Sequence, residues 1–371
     1  DRYTCMRICQ RSLSFSTQIT DLKGNLLMKF KTTAIALAVA GTVAAPVAVQ
    51  AGADELYASA RVGVWNVTGP EKKTTTTKKQ RVNKNGIVKP AETTTVTDDD
   101  QNDTDVRSFS SRFGARGETD LGNGLTGFGR YEWDVDFNTD LGEDDISVRH
   151  RYVGLKGDFG SVLAGQTYHT FYNFVVGPND NPWWHSGYSM VNYRGRTDNG
   201  LTYAGSAGDF NFGATAYMTP DEDDDDIDGW EVGASYAFGD IVLGVAAQGT
   251  ETTQGTDGSD EEIFGAALTG ISFGMVNLGF GAQMQEDDTS FLVDSSIGNA
   301  YVHVEYTSID KDSASATDDD DRDKISYTLG YTQSLGRKTT MYYEANYVDQ
   351  DTGESDDDRT AFMAVLKYDI I

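Results

Sequence analysis

Four histidines, His150, His169, His185 and His303, are the first places to look for acid–base or metal chemistry. None lies in an H-E-x-x-H pattern, and the chain has no Walker loop and no cysteine ligand set. His303 stands near Glu305, and Ser189 near His185, but no ordering aspartate accompanies the second pair. A hydrolase is therefore the weaker rival reading, and no catalytic residue, metal site or cofactor is assigned. The arginines show more order. At a two-residue period Arg112 shares a face with Ser108, Ser110, Gly114 and Arg116, and Arg149 shares one with Ser147 and Arg151. Such rows either set up a field that orients polar solutes or simply keep one wall wet. Trp183 and Trp184, between Pro182 and His185, could stack on sugar rings; packing is the favoured reading, because paired aromatics usually supply contact area.

Acidic runs at 98–100, 221–226, 318–321 and 356–358 dominate the rest of the charge. They lack the spaced ligands and central glycine of an EF-hand, so solvation ranks first, attraction of cations second and discrete Ca²⁺ or Mg²⁺ sites third. The stretch 72–89, rich in Lys and Thr, is a positive exception. The formal net charge of −28 repels phosphate backbones and argues against a nucleic-acid partner.

Elements that would carry these residues are strands. Gly is abundant at 40 and Pro scarce at 6, which suits strands that twist and hydrogen-bond along their length. An aromatic content of 11% is too high for a disordered acidic chain. Leu125, Gly127, Gly129, Tyr131, Trp133, Val135 and Phe137 alternate with Thr126, Phe128, Arg130, Glu132, Asp134 and Asp136, so one face suits lipid and the other water. The same alternation recurs around Ala234, Val304, Thr328 and Glu344.

The N-terminal region reads differently. Met28 opens a short basic start, residues 32–49 are small and apolar, and Val49-Gln50-Ala51 has small residues at both cleavage positions. Residues 28–51 are expected to be a signal peptide and 1–27 upstream sequence from a start placed too early. Cys5 and Cys9 both precede the signal, so residues 52–371, taken as one domain, contain no cysteine. That domain has no apolar run long enough to span a membrane as a helix.

Sixteen alternating runs fit between Glu55 and Ile370, with long acidic connections alternating with short Gly-rich ones. Eight long loops on one rim and seven tight turns on the other predict an all-β, sixteen-stranded antiparallel up-and-down transmembrane β-barrel. An even number closes antiparallel, and about sixteen strands leave an aqueous channel.

Three stretches add a likeness. Ser111-Arg112-Phe113-Gly114-Ala115-Arg116-Gly117-Glu118 with Asp120-Leu121-Gly122-Asn123-Gly124-Leu125 resembles the second strand, turn and third strand of the Gram-negative general diffusion porins. Arg151-Tyr152-Val153-Gly154-Leu155-Lys156-Gly157-Asp158-Phe159-Gly160 with Gly165-Gln166 resembles their fourth and fifth strands. Arg196-Thr197-Asp198-Asn199-Gly200-Leu201-Thr202-Tyr203 resembles the sixth. The resemblance implies a passive pore for small polar solutes and ions. Its setting would be a homotrimer in the Gram-negative outer membrane, among lipid and lipopolysaccharide. It also implies an inward-folded third loop, here 170–189, bearing Asp180 and facing an arginine ladder on the wall. The matching ladder is Arg112, Arg149 and Arg196, with Arg116, Arg151 and Arg194 as alternatives and Glu132, Trp183 and Trp184 as further lumen candidates. Where the family carries a terminal aromatic, this chain has Ile370. The acidic loops predict a cation preference. A substrate-selective channel for a sugar or an anion, and an anchor with a plugged lumen, are the alternatives.

Overall fold

The computed structural model describes residues 55–371 apart from 70–72, 79–80, 83–87, 90–91, 98–100, 137–145, 186–192, 219–226, 228, 251–260, 286–287, 310–321 and 352–357. The expected signal and upstream segments lie outside the described residues, as do Ser189 and nearly all of the acidic runs.

The strands are β1 (Glu55–Gly69), β2 (Gln101–Ser108 continued by Ser111–Gly122), β3 (Leu125–Val135), β4 (Ile146–Gly157) and β5 (Gly160–Tyr168). After the third loop come β6 (Arg196–Ala207), β7 (Phe210–Tyr217), β8 (Gly229–Phe238), β9 (Ile241–Thr250), β10 (Glu261–Phe273) and β11 (Val276–Gln285). The wall ends with β12 (Asp288–Ile297), β13 (Ala300–Ile309), β14 (Arg322–Gly336), β15 (Thr339–Asp351) and β16 (Arg359–Asp369). Each pairs antiparallel with its neighbours in sequence, and β1 closes on β16 from Ser59↔Asp369 to Thr68↔Thr360. The sheet counts as seventeen strands only because the second stave is broken at Phe109 and Ser110; both halves pair with β1. The sixteen strands match the number expected from sequence, and Ala234, Val304, Thr328 and Glu344 lie inside β8, β13, β14 and β15. Two short strand pairs, Lys73–Lys78 with Glu92–Thr97 and Arg81–Val82 with Val88–Lys89, belong to the first long loop.

Local chemistry explains the rims. Seven connections on one rim are two-residue turns, and Asn123-Gly124 shows why: both residues take positive φ (53° and 75°), the hairpin geometry that Asn and Gly tolerate. Outside, Val153, Phe264, Phe291 and Leu329 are exposed in an apolar band. Inside, Glu132, Glu231, His303 and Glu344 are buried on the opposite face of the wall. No described helix is long and apolar enough to cross a membrane; the strands make the crossing.

Candidate functional site: an arginine wall and a pinned third loop

Two interior structures define the site. The first lies on β1–β4. Period-two alternation turns Tyr57, Ser59 and Arg61 of β1 inward beside Gly114 and Arg112 of β2, which face Glu132 and Asp134 of β3. Glu132 is the hub. Its carboxylate accepts hydrogen bonds from Arg130 (2.5 Å), Arg149 (3.0 Å) and the Tyr57 hydroxyl (2.9 Å). Asp134 accepts one from Arg149 (3.2 Å) and one from Ser110 (2.7 Å).

Ser110 occupies the break in β2, with φ of 59°, a left-handed conformation that non-glycine residues seldom adopt. Its hydroxyl oxygen accepts from both Arg112 (3.2 Å) and Arg149 (3.0 Å). The break therefore aims two guanidiniums at once. The preceding residue, Phe109, is fully buried and meets the third loop.

The second structure is the third loop, which lies inside the barrel. At its base the Phe171 amide donates to Glu231 (2.7 Å), whose other oxygen accepts from the Tyr217 hydroxyl (2.5 Å). A short helical stretch, Tyr172–Val176 then Gly177–Asn179, packs Phe171, Val175 and Val176 against Ala246 and Ile263. Glycine makes this approach possible: a Cβ on Gly244 would stand 2.1 Å from the Phe174 carbonyl oxygen, and one on Gly279 the same distance from Asn179 Oδ1. Further along, Asn179 donates to the Phe280 carbonyl (2.9 Å) and Asn181 to Asp294.

At the tip, Glu344 of β15 accepts the backbone amides of Trp183, Trp184 (3.2 Å) and His185 (3.0 Å), the His185 ring (3.0 Å) and the Tyr301 hydroxyl. Trp183 stacks on Tyr342 (4.4 Å), His185 on Trp65 (5.0 Å), and Trp184 meets the Phe109 ring edge-on (5.0 Å). Both tryptophans thus pack the loop, as favoured from sequence, though Trp184 keeps an exposed side.

The arginines expected to form one ladder separate. Arg112 and Arg149 come together as expected. Arg151 does not join them: it pairs with Tyr131 on the apolar face and forms an exposed ion pair with Asp198 (3.0 Å). A β-bulge is the cause, since Glu132 pairs with His150 and Trp133 with Val148, leaving Arg149 as an extra residue that reverses the parity. Arg196 lies over the Tyr168 ring (4.9 Å) and donates to its hydroxyl, while Arg194 covers Tyr217 at the loop base (4.6 Å). Arg116 pairs with Glu55 near the short-turn rim (2.5 Å). Asp180 accepts from the Tyr172 hydroxyl (2.8 Å). Arg61 and Arg130, absent from the sequence-derived ladder, belong to the cationic wall; both were legible, since they sit on the polar parity of their strands. Glu231 and Glu344 carried no signal beyond that parity.

Residues 32–353 match the family model described as Gram-negative porin. This chain belongs to the Gram-negative porins. Among curated relatives of this porin, outer membrane protein YedS of Escherichia coli is 31% identical over 118 residues, 30% of this chain and 32% of that one. Outer membrane protein F of Serratia marcescens is 32% identical over 149 residues, 35% of this chain and 39% of the other. The alignments thus span about a third of those proteins. Two solved structures share the fold. Salmonella typhi OmpF, in complex with daunomycin, superposes with a TM-score of 0.62 at 17% identity, covering 85% of this chain and 98% of that one. The anion-selective porin from Comamonas acidovorans gives 0.59 at 16% identity, covering 86% and 100%. The porin is accordingly an outer-membrane barrel.

Proposed function

We propose that this porin is a passive pore for small hydrophilic solutes and ions, narrowed where the third loop crosses the interior. The observation that carries the reading is the pinning of that loop by wall carboxylates at both ends, Glu231 at its base and Glu344 at its tip. A loop fixed inside a polar barrel narrows it without filling it, and inward Arg, Glu and Asp then meet water at little cost. Arg112 and Arg149 form the cationic side of the constriction, with Arg61 beside them; Asp180, beside Asp294, forms the acidic side. Arg196, Arg116 and Arg194 line other parts of the interior. The net charge of −28 supports a preference for cations, which the reversal potential in a KCl gradient tests: an anion-selective sign overturns it.

His185 and His303 each contact a carboxylate, Glu344 at 3.0 Å and Asp294 at 3.2 Å, and no enzymatic role is assigned to either. Residues 28–51 serve as the export signal, and N-terminal sequencing of the membrane form tests the cleavage after Ala51.

The porin assembles as a trimer among outer-membrane lipid and lipopolysaccharide. The Vibrio cholerae OmpT structure described as a trimer form shares the fold (TM-score 0.55, 14% identity, 86% of this chain and 100% of that one). Single-channel recording tests the pore, and stepwise current losses in threes upon closure test the trimer.

A further inference from the structure

On the short-turn side of the arginine wall, a cavity of about 460 Å³ is lined by seven cationic and three acidic side chains. Three of the cations are neutralised locally: Arg116 by Glu55 (2.5 Å), Arg130 by Glu132 (2.5 Å) and Lys367 by Asp369 (3.0 Å). Four have no acidic side chain at ion-pair distance among the described residues, Arg61, Arg112, Arg337 and Lys338, the last donating to the Ile370 carbonyl (3.1 Å).

Arg61 and Arg112 are the telling pair. Among the described residues neither has a carboxylate at ion-pair distance. Each is instead tethered through Nε to a hydroxyl, Arg61 to Ser59 (3.3 Å) and Arg112 to Ser110 (3.2 Å). Arg61 is further steadied beneath the Trp183 ring (5.9 Å). The nearest acids, Glu132 and Asp134, already accept from Arg130, Arg149, Tyr57 and Ser110. Two Nη groups on each guanidinium therefore remain available, and the two side chains repel one another. Holding like charges together in a partly buried cavity is unfavourable unless an anion visits.

We propose that this cavity binds a doubly phosphorylated or diphosphate-bearing solute during its passage. The planar donor edges of Arg61 and Arg112 grip one phosphoryl group, and Arg337 and Lys338 at the β14–β15 turn receive the second. Guanidinium forks match phosphate oxygens in geometry as well as charge, and the volume lies within the range of small-ligand sites, about 300–1,000 Å³. Neighbouring neutralised pairs do not compete, since their carboxylates are occupied. The inference rests on the pore reading only for the route of entry; the site itself is a matter of equilibrium binding.

The test is calorimetric titration of inorganic pyrophosphate into the full-length porin folded in detergent, with orthophosphate as the smaller comparison. Saturable binding is expected, tighter for pyrophosphate and weakened by salt. Arg61→Gln and Arg112→Gln should each weaken it about tenfold or more, the scale of one lost charge-assisted pair. If either fails to fold, judged by heat-modifiable migration, the exposed double variant Arg337→Gln/Lys338→Gln reports instead, with a smaller loss. Absence of saturable pyrophosphate binding, or binding unchanged in folded variants, overturns the site. Single-channel recording of the same samples keeps the two readings apart. Ohmic current insensitive to pyrophosphate sinks the site and leaves the pore; saturable binding without any current does the reverse.

Discussion

The wall from β1 to β4 and the wall from β7 to β11 follow the same alternation and do opposite work. On the first, inward positions carry long polar side chains: Tyr57, Arg130, Glu132 and Arg149 bond one another, and Arg61 and Arg112 reach into the interior beside them. On the second, inward positions include Gly213, Gly233, Gly244, Gly265 and Gly279, against whose missing side chains the third loop lies. Their outer faces differ too. The second wall turns Phe212, Trp230, Tyr236 and Phe264 outward, whereas the first offers Ala115, Gly127 and Gly129 beside the Arg151–Asp198 pair. One pattern of parity thus yields a charged wall or a trough, according to side-chain size alone.

The largest effect should come from cutting the loop loose. Glu344→Ala leaves three amides, a histidine and a tyrosine without their acceptor, and breaking a buried charged network of this kind costs about 3–5 kcal/mol. Noisier, larger open-channel current and faster proteolysis within 170–189 are expected; unchanged current would mean that the tip is held by aromatics alone. Next is Gly244→Ala, which fills the trough where the Phe174 carbonyl sits. Overpacking of this order costs about 1–3 kcal/mol, and a higher conductance together with a lower unfolding temperature should follow. If Gly244→Ala behaves as the parent does, the trough is not what seats the loop.

Selectivity separates the walls more finely. Glu132→Gln removes the shared negative charge from the cationic wall while preserving its shape, so the reversal potential should move toward anions, more so at low salt. A shift toward cations would contradict the assignment of this wall. The smallest effect is expected from Arg151→Gln, since an exposed ion pair contributes about 0.2–1 kcal/mol. A much larger loss of trimer stability, read by seminative gel migration against temperature, would mark this pair as buried between copies.

Strand number and turn rims were legible because the two-residue period and the loop rhythm repeat sixteen times, so local errors do not accumulate. The break in β2 and the bulge at Arg149 were not legible, because one extra residue leaves no compositional mark yet inverts every later side chain on that strand. That inversion sent Arg151 outside. Arg112 and Arg149 were found because each lies on the face that their own strand segment turns inward. The partners of the loop could not be read at all: Glu344 lies 159 residues from His185, and only closure of the barrel brings them together. Glycines of the trough were visible as residues but not as a trough, since their role depends on what packs against them.

Single-channel recording in planar bilayers, on protein folded in detergent and shown to migrate as a heat-modifiable barrel, tests the central claim most directly. Reproducible ohmic steps that persist with neutral sugars present are the result anticipated. Well-folded protein that inserts into the bilayer yet passes no current would show that the loop and its pinning carboxylates seal the barrel, and the proposed pore would have to be abandoned.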